Sequence, residues 1–257
     1  MRSSPGAGGE PRITANSLAV MSVAVLCGGK GTRIAAIAGD LPKALVLVNG
    51  TPFLDHQLRW LRRSGAVDVV LLTGYRAERI REFAGDGARY GLQIRYSDDG
   101  NEPRGTAGAL ARALPLLSET FVCIYGDALL QANPIEVGST LGEGDDGVMS
   151  VYRNEDRWVP SNVRIDAGRV TAYEKKAAPG TMTHIDYGIN AFRASAFSAV
   201  AAHRPVDLAD VHRSMIDHGS LRAFPVEGRF YEIGSPEGLA ETEDFVRTSP
   251  AFGGSTA

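Results

Sequence analysis

Between residues 23 and 125 short apolar runs alternate with stretches of helical periodicity, and that alternation restricts the fold more than any single motif. Residues 23–26, 67–72, 92–96 and 120–125 are strand-like. Residues 53–63 carry Leu54, Leu58 and Leu61 on one helical face, with Pro52 near the start. Residues 76–83 and 106–114 are helical as well. Strand, helix and strand in succession need crossovers, which predicts an α/β fold with a mainly parallel, doubly wound sheet and helices on both faces. After Gly147 the strands crowd together, at 148–152, 162–165, 169–173 and 188–192, with a turn at Asp166, Ala167 and Gly168. Helices at 208–217 and 236–246 flank strands at 221–225 and 229–233. One mixed α/β domain over residues 21–247 is expected.

Residues 1–20 are rich in Gly, Pro and Ser and lack periodicity, which predicts a flexible extension, with Met21 an alternative start. Residues 248–257 have the same loose texture. No apolar run approaches the roughly 20 residues of a membrane helix. Residues 18–27 imitate a short signal core, but a Gly/Lys/Arg loop follows where a cleavage site would stand. A buried strand in a cytoplasmic protein is the expectation. A net charge of −3 supplies no global basic field for nucleic acid. Cys27 and Cys123 each lie in an apolar run and read as buried free thiols.

In a sheet of this kind ligands bind outside the carboxyl ends of the strands. Three loops with chemical content fall there. Cys27-GGKGTR-Ile34 offers Gly28, Gly29 and Gly31 for close backbone approach to an anion, with Lys30 and Arg33 adding charge. It is neither a Walker loop nor a dinucleotide fingerprint. Gly105-TAGA-Leu110 opens a helix, and Tyr125-Gly-Asp127 closes an apolar strand. Lys43, after Pro42, is either surface charge or an ammonium aimed at a polyphosphate. Asp127 is either a loop cap or a ligand for a magnesium ion that keeps most of its waters. Glu232 is edge-exposed or a second metal ligand. Glu174 and Lys175 read equally as an exposed ion pair. The five histidines show no zinc spacing, and no nucleophile elbow is present.

Together these motifs resemble the sugar-1-phosphate nucleotidyltransferase family, the NDP-sugar pyrophosphorylases, from about residue 23 to residue 246. The resemblance rests on Gly28, Gly29, Gly31, Thr32 and Arg33 followed by Lys43, then on EPRGTAGAL, YGD, YEKK and FYEIGSPEGL. It implies a Rossmann-like, GT-A-like fold and transfer of a nucleotidyl group from a nucleoside triphosphate to a sugar 1-phosphate, with Mg2+ as cofactor. The family assigns catalytic roles to Arg33, Lys43 and Asp127. It implies nucleotide contacts at Cys27, Gly28, Gly29, Gly31, Thr32, Gly105, Thr106, Ala107 and Gly108. Sugar-phosphate contacts fall on Glu174, Lys175, Asp186 and Gly188, and metal ligation on Asp127 and Glu232. The opening and the compact length look nearest to the heptose- or mannose-1-phosphate guanylyltransferases.

Four positions depart from the family pattern. Ala44 stands where a proline is usual, Glu232 replaces an aspartate, Asp186 replaces an asparagine, and Arg104 replaces a leucine. Asp186 and Glu232 motivate an alternative, a non-catalytic nucleotide-sugar-binding regulatory subunit. A cytidylyl-, uridylyl- or thymidylyltransferase is another. No hexapeptide repeat follows the core, so no acyltransferase helix is expected. A homo-oligomer is compatible with the family; nucleic-acid and membrane partners are not expected.

Overall fold

The computed structural model describes residues 21–29, 31–100, 103–200, 205–249 and 252. Residues 1–20, placed in an extension by their composition, lie outside these. The strands are β1 (Ser22–Leu26), β2 (Leu47–Val48), β3 (Thr51–Pro52), β4 (Asp68–Thr73), β5 (Gln93–Asp98), β6 (Thr120–Tyr125), β7 (Ala128–Leu129), β8 (Gly147–Arg153), β9 (Val163–Asp166), β10 (Arg169–Tyr173), β11 (His184–Arg193), β12 (Leu221–Val226) and β13 (Tyr231–Glu232). The helices are α1 (Ala35–Ala38), α2 (Phe53–Arg63), α3 (Ala77–Ala84), α4 (Gly105–Ala113), α5 (Pro134–Ser139), α6 (Leu208–Asp217) and α7 (Pro236–Thr248).

The main sheet runs β5-β4-β1-β6-β11-β8-β12-β10-β9, and β9 also meets β11 where Val163 pairs with His184. Strands β5, β4, β1 and β6 are mutually parallel, as their helical crossovers require. The expectation of a mainly parallel sheet holds for that part and for the β8–β12 pair only. Strand β11 runs antiparallel to both β6 and β8, and β10 runs antiparallel to β9 and β12. The reason is local. Ala167 and Gly168 both take positive φ, so the chain reverses in a tight turn and β10 must return beside β9. The whole is a mixed α/β sheet whose far end closes on itself.

Alternation along the parallel strands sorts two cores. Val23, Val25, Val69, Leu71 and Ile124 share one core with Phe53, Leu54, Leu58 and Leu61 of α2. Ala24, Val70, Leu72 and Cys123 share the other with α4 and α6. Each fully buried Leu contributes about 1.5–3 kcal/mol. Both thiols are buried and free, and burial pushes that of Cys27 up to about 12. His212 also belongs to the core, stacked on Phe192; burial drives its pKa down to about 3, so the ring is neutral.

Most boundaries lie within one or two residues of the sequence reading, and three differences are of another kind. Strand β11 begins four residues before Gly188, which sits within it at φ 102° beside a bulge. Helix α5 was not anticipated; Asn133 caps it by accepting from the amides of Ile135 and Glu136. Thr248, assigned to the loose tail, ends α7, and Phe252 is buried against Phe245.

Candidate active site

In sheet order, the carboxyl ends of β5, β4, β1 and β6 bring Asp99, Gly74 to Arg76, Cys27 to Gly29, and Tyr125 to Asp127 to one edge. A cleft of about 620 Å³ opens along that edge, with Gly105 and Thr106 of α4 as its facing wall. This is the crevice expected of a doubly wound sheet.

Lys43 and Asp127 meet inside it. Lys43 lies on a single turn after Pro42, whose φ of −63° leads the chain inward. Its Nζ donates to Asp127 Oδ2 at 2.5 Å, with side-chain exposures of 12% and 36%. Glu232 reaches the same corner because β13 pairs with β7, setting Glu232 opposite Ala128, and Ile233 N donates to the carbonyl of Asp127. A Cβ added to Gly234 would stand 3.1 Å from Lys43 Nζ and 3.4 Å from the Glu232 carboxyl carbon. The glycine therefore keeps a gap between ammonium and carboxylate. Two carboxylates with open positions suit Mg2+, which retains waters and takes further oxygens from substrate phosphates. Asp127 lines the cleft and Glu232 lies at its corner outside the lining, and these are the carboxylates that would hold such an ion. Among the described residues no group of three or more His, Cys, Asp or Glu forms a denser site.

Of the glycine loop, Cys27, Gly28 and Gly29 line the cleft. Lys30 lies outside the described residues. Thr32 and Arg33 are exposed on the next turn, and with Gly31 they fall outside the lining. Gly105 has φ 70°, and a Cβ there would meet the Val206 carbonyl oxygen at 2.4 Å, so both conformation and space demand glycine. The amides of Ala107 and Gly108 donate to that carbonyl, and Thr106 Oγ1 accepts from Leu208 N. Gly105 and Thr106 thus face the cleft, whereas Ala107 and Gly108 brace α4 against the chain entering α6.

The residues assigned to the sugar phosphate do not line this cleft. Glu174 is exposed, and Lys175 pairs with Asp207 at 2.6 Å, both about half exposed. Asp186 accepts from Gly188 N at 3.0 Å, from Asn190 Nδ2 at 3.3 Å and from the Tyr125 hydroxyl at 3.5 Å. Burial raises its pKa from 3.8 to about 6, against those hydrogen bonds and the charge of Lys175. Tyr125 does line the cleft and is the link between the two groups. Asn162, read only as a strand start, ties this side together: its Oδ1 accepts from Asp186 N and its carbonyl from Glu174 N.

Sequence reasoning missed the loop after β4. Gly74, Tyr75, Arg76 and Glu78 all line the cleft. Arg76 adopts φ 55°, unusual for a side chain with a Cβ, and pairs with Asp40 at 3.1 Å. The signal was present: Gly74 follows an apolar strand as Gly28 and Gly126 do. Asp99 also lines the cleft, its pKa raised by burial.

A family profile described as Nucleotidyl transferase matches residues 22–249. The chain belongs to that family. Among curated relatives, the mannose-1-phosphate guanylyltransferase of Mycobacterium tuberculosis is 29% identical over 231 residues, covering 88% of this chain and 62% of that protein. The D-glycero-alpha-D-manno-heptose 1-phosphate guanylyltransferase of Campylobacter jejuni is 36% identical over 107 residues, covering 42% of this chain and 48% of that protein. The chain spans about half to two thirds of the length of the curated relatives it matches. Among solved structures, HddC from Yersinia pseudotuberculosis complexed with GMP-PN has a TM-score of 0.73 at 24% identity, covering 88% of this chain and 99% of that one. That likeness carries the fold. No helix among the described residues is long and apolar enough to cross a membrane.

Proposed function

We propose that this nucleotidyltransferase couples a nucleoside triphosphate to a sugar 1-phosphate, releasing pyrophosphate, with GTP and a heptose or mannose 1-phosphate as the favoured pair. The observation that carries the reading is the Lys43–Asp127 pair beside Glu232 in a cleft walled by glycine backbone. The attacking sugar phosphate is already an anion, so no strong general base is required. The protein has to bring two repelling polyanions together in line and stabilise the charge that spreads over the α-phosphoryl group. Lys43, released from Asp127, supplies a cation at the phosphates, and Arg33, exposed on the turn beyond the lining, supplies a second on the strength of the family resemblance. Backbone at Gly28 and Gly29 permits close approach of the triphosphate. Asp127 and Glu232 would hold Mg2+, which supplies charge neutralisation at the phosphates. Asp186, linked to the cleft through Tyr125, sets the sugar side together with Lys175 and Glu174. The guanine preference draws on the two guanylyltransferase relatives and on the GMP-PN complex of HddC. The domain would run from residue 21 beyond the 247 read from sequence to the buried Phe252, and work in the cytoplasm.

A matrix of four nucleoside triphosphates against a panel of sugar 1-phosphates, read as magnesium-dependent pyrophosphate release, tests the proposal. Release should be greatest with GTP and a heptose or mannose 1-phosphate. A folded protein that binds nucleotide and releases no pyrophosphate with any pair would refute it in favour of a regulatory subunit.

A further inference from the structure

Helix α2 is amphipathic, and its buried face is built from Phe53, Leu54, Leu58 and Leu61. Gln57 sits on that face at 1% exposure. A leucine would serve packing better, since burying a primary amide is costly unless its polar atoms are used. The amide is used at one end. Nε2 donates to the carbonyl of Tyr125 at 2.9 Å and to that of Ala128 at 2.8 Å. Both partners are acceptors only, so the NH2 group must face them and the orientation of the amide is set by the network. Oε1 finds no hydrogen-bond partner among the described residues. The side chain therefore carries a desolvation cost at Oε1 and returns it solely through the two bonds of Nε2.

Those two carbonyls flank Gly126 and Asp127. The rest of the turn is held by main chain: Gly126 N donates to Leu26 O, and Ile233 N donates to Asp127 O. Gly126 has no room for a Cβ, which would stand 2.6 Å from the Leu26 carbonyl oxygen. One NH2 group thus spans both ends of the turn and fixes the chord from which the Asp127 carboxylate projects toward Lys43.

We propose that Gln57 is a positioning residue, which holds the 125–128 turn so that Asp127 presents its carboxylate beside Glu232 for a divalent cation. The inference rests on the proposed use of Asp127 as a metal ligand. Groups that orient a ligating carboxylate typically change metal affinity by about 10–100-fold when removed.

The test uses Mn2+ as probe on the full chain, followed by electron paramagnetic resonance, with nucleotide binding in EDTA measured in parallel. Gln57→Leu keeps the volume and removes both donors; Gln57→Glu keeps the shape and sets a carboxylate against two carbonyls. Each should weaken Mn2+ binding at least about tenfold while metal-free nucleotide affinity stays within about twofold. Lower thermal stability with wild-type Mn2+ affinity would reduce Gln57 to a packing role and overturn the inference. Should neither variant fold, the wild type decides. The chain has three glutamines, Gln57, Gln93 and Gln131, so ¹⁵N-glutamine labelling resolves the side-chain amides. The Gln57 amide protons should exchange slowly and broaden with Mn2+, whereas fast exchange or no broadening overturns the inference. The two levels separate through Asp127→Asn. If wild type and Asp127→Asn bind Mn2+ alike, the metal role of Asp127 fails and Gln57 falls with it; if only Gln57→Leu matches wild type, Gln57 fails alone.

Discussion

Replacing Asp186 by Asn removes a charge that the fold holds at a cost. Its carboxyl has a pKa of about 6 where 3.8 is usual, and burial is the main cause. Roughly two pH units correspond to about 3 kcal/mol of native-state destabilisation at neutral pH. Because the folded pKa is raised, this cost is absent below pH 3.8, accumulates as pH rises to about 6, and is constant above. Asparagine keeps the shape and still accepts from Gly188 N, but its bonds from Gly188, Asn190 and Tyr125 lose their charge-assisted part. Asp186 is also partly exposed, which trims the figure. A net gain of about 1–2 kcal/mol at pH 7.5 remains, or about 3–6 °C in melting temperature for a chain of this size. Thermal unfolding of both proteins at pH 4, 5.5 and 7.5 checks it. The variant's advantage should vanish or reverse at pH 4 and open by pH 7.5. A gap that ignores pH, or a wild type that is more stable at pH 7.5, would refute the reasoning and mean that Lys175 or solvent compensates the charge. In turnover the same variant should change the ranking of sugar 1-phosphates by at least about tenfold and that of nucleotides less. An unchanged sugar ranking would leave Asp186 as a cap on Gly188 alone.

Three further substitutions separate the parts of the cleft. Asp127→Asn should lower pyrophosphate release at least about 100-fold and raise the half-saturating Mg2+ concentration, while stability falls by about 1–2 kcal/mol because Lys43, mostly removed from water, loses its carboxylate; normal metal dependence would move the ligand role to Glu232. Gly234→Ala places a methyl 3.1 Å from Lys43 Nζ, so turnover should fall about tenfold through displacement of reacting groups, and an unaffected rate would show that the gap is not used. Arg33→Ala should cost about 2–4 kcal/mol of transition-state stabilisation in kcat/KM. No change in melting temperature is expected, since Arg33 is exposed; unchanged turnover would confine phosphate binding to Gly28 and Gly29.

Much of the fold was legible because period and burial coincide. Residues 53–63, 120–125, 169–173 and 208–217 read from pattern have the bounds of α2, β6, β10 and α6. The antiparallel half was less legible, since an apolar run such as β11 states that a strand is buried and not which way its neighbours run. Helix α5 is six residues long, too short to display a period. Of the residues with chemical signatures, Lys43 and Asp127 line the cleft and Glu232 stands beside it, whereas residues placed there by backbone geometry alone gave no chemical signal in the sequence. Lys43, Asp127 and Glu232 announce themselves by charge inside apolar text. Gln57 is one polar letter in a helix, and Arg76 has an ordinary sequence context; only the tertiary structure gives each its place. Arg33 shows the reverse case, a motif residue that the fold leaves outside the cleft.

The Lys43–Asp127 pair also constrains how substrates enter. Each group is the other's partner at 2.5 Å, and Lys43 is mostly removed from water. Under the proposed function neither can be taken alone without loss. A nucleotide that draws Lys43 away strips Asp127 of its cation, and a metal that takes Asp127 leaves Lys43 without its carboxylate, with Glu232 the nearby substitute across Gly234. Removing one partner of a partly buried ion pair is unfavourable, whereas replacing both partners at once is not. A triphosphate arriving with its divalent ion satisfies both groups together, anion to Lys43 and cation to Asp127. The coupling is reciprocal, because whatever the metal adds to nucleotide affinity the nucleotide must add to metal affinity. Under the proposed function the ion pair would act as a placeholder that favours the complete metal–nucleotide complex over either component, a preference set by charge pairing and independent of which base or sugar the cleft accepts.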